Sequence, residues 1–573
     1  MDWQRLRRIL AAVLLPLLLV GVALGAKAQT GKSWDAVVGY QTPYAAPLAA
    51  GSRTDPAVRR VVVVVIDALR LDTSLQLTTL NSLRNRGASL SVRTGQPSLS
   101  HPALATITTG THQELHGVTT NWYKGLIRLD HIFAVAQREG LNTGAAGYEA
   151  YADMHGQSIS AARLVPGDDE RYDDLIEARG LELLAPGGPD LVFIHFLDVD
   201  HAGHDVGPRN PGYFQAAKAS ADRVARLIAA TDLTHTTFIV TADHGHIMTG
   251  GHGGWEEEVL TTPLILVGAG VRPGQYPQES QTDLAPTIAA LLGLPVPAHA
   301  TGKPLVDLLE LNLAQRADVM VGAATARLGL AKAYASALGA REPSAQLVDE
   351  ARQAMAGGLH AQALETATQA LDGLDRAMAS ARAGDINRGR LLRLLPVLAL
   401  ASLGLLVPWL FRRDLPVKEA VFAAALYLLL FYGLFVLRGF GFSLSTFNEE
   451  GNIQRFFNTR LLETVCFTLV AVGAYAVLAA RRGAKGLAHA AGAGMFLYCV
   501  TYALFAQVLF FVALWGLNWT HWIPDLRLGI KYYFDLLQMV GVGLVAPVAA
   551  LVACGLGKAA TRAMAKRDRT AGA

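Results

Sequence analysis

Val61-Val-Val-Val-Val-Ile66-Asp67-Ala-Leu-Arg70-Leu-Asp72 sets six β-branched residues in an unbroken run directly before a carboxylate. A half-exposed strand would alternate apolar and polar residues, so this run reads as a strand buried on both faces of a parallel sheet. Leu191 to Leu197, Phe238 to Thr241 and Leu264 to Val267 have the same near-continuous apolar character. Between them lie Gly/Pro turns and helical stretches. Residues 29 to 310 therefore predict an α/β domain with a mostly parallel sheet flanked by helices.

In such a sheet, ligands gather at the carboxyl edge of the strands. Asp67 projects from that edge of the first run. Alone it fits a helix N-cap equally well. The second run leads into Asp198-Val-Asp200-His201-Ala-Gly203-His204, and the third into Asp243-His244-Gly245-His246 followed by Gly250-Gly251-His252-Gly253-Gly254. Three strand ends thus deliver Asp and His to one rim. Imidazole nitrogen with carboxylate oxygen and no sulfur suits a divalent ion of the zinc type, with manganese as the alternative. The stretch from His101 to Thr109 reads as a helix, with Pro102 in its first turn and Gly110 as its stop. Ser100 then falls at the cap, where the helix dipole and a nearby cation both favour an alkoxide. On this segment alone it is a plain capping serine.

Outside this region the chain changes character. Mean hydropathy is +0.29 over 573 residues and charged residues make up only 17%, below the usual quarter. Residues 9 to 26 are uncharged and apolar, preceded by Arg5, Arg7 and Arg8 and followed by Ala26-Lys27-Ala28, which has the form of a processing site; a cleaved signal and a retained anchor both fit. Residues 311 to 390 are Ala-rich and read as a helical stalk. Five further apolar runs, near 394–411, 420–437, 461–480, 487–516 and 534–557, make 391 to 573 a multi-span membrane domain with a basic tail. With the N-terminus inside, the inner segments carry fourteen basic residues, Lys485 among them, against five in the two outer loops. The positive-inside rule then sets the catalytic region outside the cytoplasm of a cell membrane. Arg388, Arg390 and Arg393 point the other way and suit lipid phosphates. The outer segment 514–533, with Trp515, Trp519, Trp522, Tyr532 and Tyr533, reads as an interfacial aromatic belt. A net charge of +3 without a basic patch argues against nucleic acid as a partner. The three cysteines lie in apolar C-terminal segments, which leaves no thiol nucleophile or disulfide framework in the polar region.

These residues resemble the type I phosphodiesterase and nucleotide pyrophosphatase family, and also the ethanolamine phosphate transferases of glycolipid-anchor synthesis, within the alkaline phosphatase superfamily. The resemblance covers roughly residues 58 to 308, including Gln281-Thr-Asp283-Leu-Ala-Pro286-Thr. It implies that Asp67, Ser100, Asp243 and His244 hold one metal ion, and Asp200, His204 and His252 the other. It also implies that Ser100, in Pro97-Ser-Leu-Ser100-His-Pro102, is the nucleophile, and that Asn121, in His116-Gly-Val-Thr-Thr-Asn121, contacts the phosphate. The close spacing of His244 and His252, and the C-terminal spans, are more like the transferases. The expected substrate is a phosphoric ester, lipid-linked or carrying a head-group phosphate, with membrane lipid as partner.

Two other readings bear on the same residues. Ser100-His-Pro102-Ala-Leu104 is similar to the segment around a sulfatase formylglycine, but that segment needs arginine where Leu104 stands. A membrane receptor or transporter with a retired site has no reason to keep so costly a cluster of charges.

Overall fold

Val61 to Ile66 are fully buried in β1 (Arg60–Ile66), and no water touches either face, as a strand of that composition requires. The computed structural model describes residues 3–48, 51–166, 172–447, 450–484 and 487–571, so Lys485 lies outside the described residues. The remaining strands are β2 (Ala88–Arg93), β3 (Thr143–Tyr148), β4 (Ala161–Val165), β5 (Leu191–Phe196), β6 (Thr236–Thr241), β7 (Thr261–Gly268), β8 (Gly274–Gln275) and β9 (Glu279–Ser280). Their order is β4-β3-β5-β1-β6-β7-β2-β8, with β9 pairing β2. β4, β3, β5, β1 and β6 are mutually parallel, whereas β7 runs antiparallel to both β6 and β2. The apolar run at 264–267 announced a strand buried on both faces; its antiparallel direction, after a long connection from Thr241 to Thr261, is not something a periodic pattern records.

Register matters more than order here. Ile66 pairs with Phe196, and Val65 with Thr241. Asp67, Asp198 and Asp243 therefore leave neighbouring strands at nearly one level, on one edge.

The helices that bear on the site are α1 (Trp3–Val38), α2 (Ser100–Thr109), α3 (Asp198–Val206), α4 (Leu313–Ala337), α5 (His360–Phe411), α6 (Val417–Leu437), α7 (Glu450–Arg481), α8 (Leu487–Trp515) and α9 (Leu526–Ala571). Residues 311–390, expected as a stalk, are helical, but Ala317, Ala324, Leu371 and Met378 share the apolar core of the sheet. The segment is packed onto the domain as far as Met378. Arg382 then pairs with Glu114 at 2.8 Å and reaches the Ile523 carbonyl at 3.3 Å, tying α5 to the loop before α9.

Among the described residues, six helices are long and apolar enough to cross a membrane: α1 and α5 to α9. Leu15 and Leu19 of α1 lie in the same core as Phe496 and Val542 of the other spans, and Ala26-Lys27-Ala28 falls inside α1. Asp535, at the buried end of α9, accepts from Tyr432 at 2.7 Å and pairs with Lys531, which also donates to Gln507 at 2.6 Å. These charges are satisfied by one another, as an apolar bundle demands.

Candidate active site

α3 begins where β5 ends, so Asp200 and His204, four residues apart, share one helical face. His204 Nε2 lies 3.2 Å from Asp200 Oδ2 and 3.2 Å from His252 Nε2; His252 Nε2 lies 3.6 Å from Asp200 Oδ1. These three donors converge. At the next strand ends, His244 Nε2 is 3.5 Å from Asp67 Oδ1, 3.3 Å from Asp243 Oδ2 and 3.3 Å from Ser100 Oγ. The His244 and His252 rings stack with centroids 4.0 Å apart, so the two groups adjoin. Asp243 Oδ1 is held by the amides of Ala68 and His244 at 3.0 and 2.9 Å. Ala68 adopts φ +57, a strained conformation for alanine that aims its amide at Asp243.

Ser100 is the first residue of α2 rather than its cap, which is Leu99, and the side chain makes no capping bond. Gly110, at φ +72, ends the helix where the sequence indicated. Asn121 accepts the His101 amide at 3.0 Å through Oδ1, which leaves its Nδ2 to donate elsewhere.

Two histidines were passed over in the sequence. His195 sits inside β5, fully buried, with Nε2 3.2 Å from Asp67 Oδ2. Burial pushes it down to about 4, so it is neutral. A histidine in an otherwise apolar strand was the signal, since burial without a partner is costly. His246 was quoted without a role. The Gly251 amide donates to its Nδ1 at 2.9 Å, which fixes the tautomer, and Nε2–H then donates to Asp200 Oδ1 at 2.8 Å. His246 thus orients Asp200. Its ring presses on α3 at Gly203, where a Cβ would lie 2.3 Å from the imidazole. Gly203→Ala is expected to cost about 1–3 kcal/mol by overpacking and to loosen Asp200. A melting curve and a metal titration check this; unchanged values in both would refute it.

The donors suit divalent cations. Burial, reinforced by neighbouring rings, holds His252 well below the ordinary histidine range and lowers His246 too; His252 thus presents a neutral nitrogen, while His246 keeps both of its nitrogens on Gly251 and Asp200. Burial also raises the Asp200 carboxyl, but His204 and His252 outweigh it and hold that group well below the carboxylate range. Asp243 Oδ2 is buried and receives no hydrogen bond, a lone pair a cation would use. Asp200 with His244 and His252, Asp200 with His204 and His246, and Asp67 with His195 and Asp243 each bring ligand atoms within 4.8 Å of one another.

A cavity of about 660 Å³ opens onto Ser100, Asn121, His204 and His252. Its other wall belongs to the apolar helices: Trp34 of α1, Phe457 of α7, and Ile530 and Tyr533 of α9. Trp519 and Tyr532, read as interfacial anchors, also line it.

The sequence matches the type I phosphodiesterase / nucleotide pyrophosphatase family over residues 61–256. It is 29% identical over 283 residues to the human GPI ethanolamine phosphate transferase 3 catalytic subunit, covering 44% of this chain and 26% of that protein. It is 26% identical over 303 residues to GPI ethanolamine phosphate transferase 2 of Aspergillus fumigatus, covering 46% of this chain and 39% of that one. The chain thus spans well under half the length of these curated relatives. Murine ectonucleotide pyrophosphatase / phosphodiesterase 5 superposes on 44% of this chain and 100% of its own, at 17% identity and a TM-score of 0.38. Residues 61–256 are thus similar to the type I phosphodiesterase / nucleotide pyrophosphatase family, in a chain whose six long apolar helices, among the described residues, make it a multi-pass membrane protein.

Proposed function

We propose that the chain is a two-metal phosphodiesterase or phosphotransferase acting on a lipid-linked phosphoric ester at the outer face of a cell membrane. The observation that carries this reading is the single cavity with Ser100 and the Asp/His cluster on one wall and membrane helices on the other. A phosphate at Ser100 leaves its apolar substituent facing Phe457, Ile530 and Tyr533, which a water-soluble substrate would not require. The excess of basic residues in the inner segments supports the outer location.

Two divalent cations, zinc or manganese, held by Asp67, Ser100, Asp243 and His244 and by Asp200, His204 and His252, would supply positive charge that acidifies the serine and neutralises the leaving oxygen. Ser100 Oγ attacks phosphorus in line, the bond to the leaving alkoxide breaks, and a phospho-serine forms. Asn121 Nδ2 donates to a non-bridging oxygen as charge builds there. Attack by water or by an acceptor hydroxyl then releases the phosphoryl group and restores Ser100. His246 orients Asp200, and neutral His195 lies beside Asp67.

The test is turnover of a chromogenic phosphodiester, its monoester and its sulfate ester by the purified protein with added zinc. Diester turnover that disappears with chelator, and that intact cells perform on a membrane-impermeant diester, is expected. Preference for the sulfate ester would reject this reading in favour of a sulfatase.

A further inference from the structure

The loop that carries His252 is gripped from two sides, and one of them is the membrane domain. Toward the nucleophile, His252 Nδ1 lies 3.2 Å from the Ser98 carbonyl, and Ser98 Oγ donates to the Gly254 carbonyl at 2.9 Å. A ring nitrogen beside a carbonyl oxygen is a donor, so Nε2 keeps its lone pair for the side facing Asp200 and His204. From the opposite side, the segment that follows α6 lies directly on the same backbone. Gly254 N donates to Ser445 Oγ at 3.0 Å, Ser445 Oγ donates to Glu256 Oε2 at 2.8 Å, and Trp255 Nε1 donates to the Phe442 carbonyl at 3.2 Å. Arg527 at the start of α9 stacks over Trp255 at 4.3 Å. The fit leaves no slack: a Cβ on Gly254 would lie 1.9 Å from Ser443 Oγ and 2.5 Å from Ser445 Oγ. Ser445 is 1% exposed, so its hydroxyl has no water to fall back on.

We propose that Ser445 and Glu256 are positioning residues for His252, through which the membrane domain sets the metal affinity of the site formed with Asp200 and His204. This rests on the two-metal reading above. Three residues separate His252 from Glu256, and two of them are glycines with no side chain to stiffen the turn. Without the Ser445 bridge, the Gly254 amide loses its acceptor, and on the membrane side the loop keeps only the contacts of Trp255, three residues beyond His252. The imidazole is then free to swing away from Asp200. The other site draws its ligands from strand ends and α2, none of which touches Ser445.

The experiment uses full-length protein in detergent, stripped by chelator and titrated with zinc against a chromogenic competitor, with the melting temperature of the metal-free form measured alongside. Wild type should take up two ions. Ser445→Ala and Glu256→Ala should keep one ion at wild-type affinity and bind the other about 10–100-fold more weakly, the usual cost of losing a partner of a ligand. Their metal-free melting temperature should not change. Ser445→Thr and Glu256→Gln, which retain a hydroxyl and an acceptor, should restore the second ion. Wild-type affinity for both ions in both alanine variants overturns the proposal and leaves the two-metal reading standing. Equal weakening of both ions, or weakening that follows a lower melting temperature, overturns it as general loosening. Fewer than two ions in the wild type overturns the two-metal reading and this inference together.

Discussion

Ser100→Ala should abolish phosphodiester turnover, lowering it by about 10⁴-fold or more, the order seen when a nucleophile is removed and only binding and charge stabilisation remain. The geometry makes this a clean substitution. Ser100 opens α2, but the cap is Leu99, and the serine hydroxyl bonds none of the helix amides. Among the described residues, its hydroxyl has one hydrogen-bond partner, His244 Nε2 at 3.3 Å. Deleting the oxygen therefore costs no cap, and alanine is a good helix former, so stability should change by less than about 1 kcal/mol. A steady-state assay and a melting curve on the same preparation decide the matter. A variant that keeps more than a tenth of wild-type turnover would remove Ser100 as nucleophile. A variant that loses turnover together with fold would say nothing chemical, which the melting curve reveals.

How far this site could be read in advance varies from strand to strand. β1, β5 and β6 are legible because burial on both faces demands apolar, often β-branched residues, and the polar residues that follow mark the edge where burial ends. β3, Thr-Gly-Ala-Ala-Gly-Tyr, is buried just as fully between β4 and β5, yet its two glycines and small side chains give no strand signal. β8 and β9, two residues each, have no period to detect. Within the site, Asp67, Asp200, His204, Asp243, His244 and His252 are brought together as their positions after the strands suggested. His246 could be seen in sequence, but its bond to Asp200 depends on which ring nitrogen the Gly251 amide reaches. That is a matter of loop geometry. The second wall of the cavity lay furthest from view. Phe457, Tyr533 and Ser445 stand hundreds of residues from Ser100, and the sequence put the first and last in an outer loop and Tyr533 in an interfacial belt, roles that do not conflict with facing a catalytic cavity.

Asp200→Asn should remove one of two metal ions and most of the turnover, and the reason lies in how this carboxylate is surrounded. His246 Nε2–H donates to one oxygen, His204 lies 3.2 Å from the other, and His252 approaches at 3.6 Å. Asparagine is nearly isosteric, so packing against α3 and β5 is kept while the one negative charge among the His204, His246 and His252 rings is lost. Those imidazoles cannot replace it: burial keeps His246 and His252 uncharged, and a divalent ion would then sit with no formal counter-charge in a dry site. The amide also turns an acceptor into an N–H donor beside imidazole nitrogens whose lone pairs should face metal. Elemental analysis after dialysis should find one ion instead of two, and turnover should fall by roughly a thousandfold, equivalent to about 4 kcal/mol of lost charge stabilisation in the transition state. Asp67→Asn makes the matched comparison, since it should drain the other ion and leave the Asp200 site filled. Two ions and near-normal turnover in Asp200→Asn would show that the carboxylate is structural and that the cluster of histidines serves some other end.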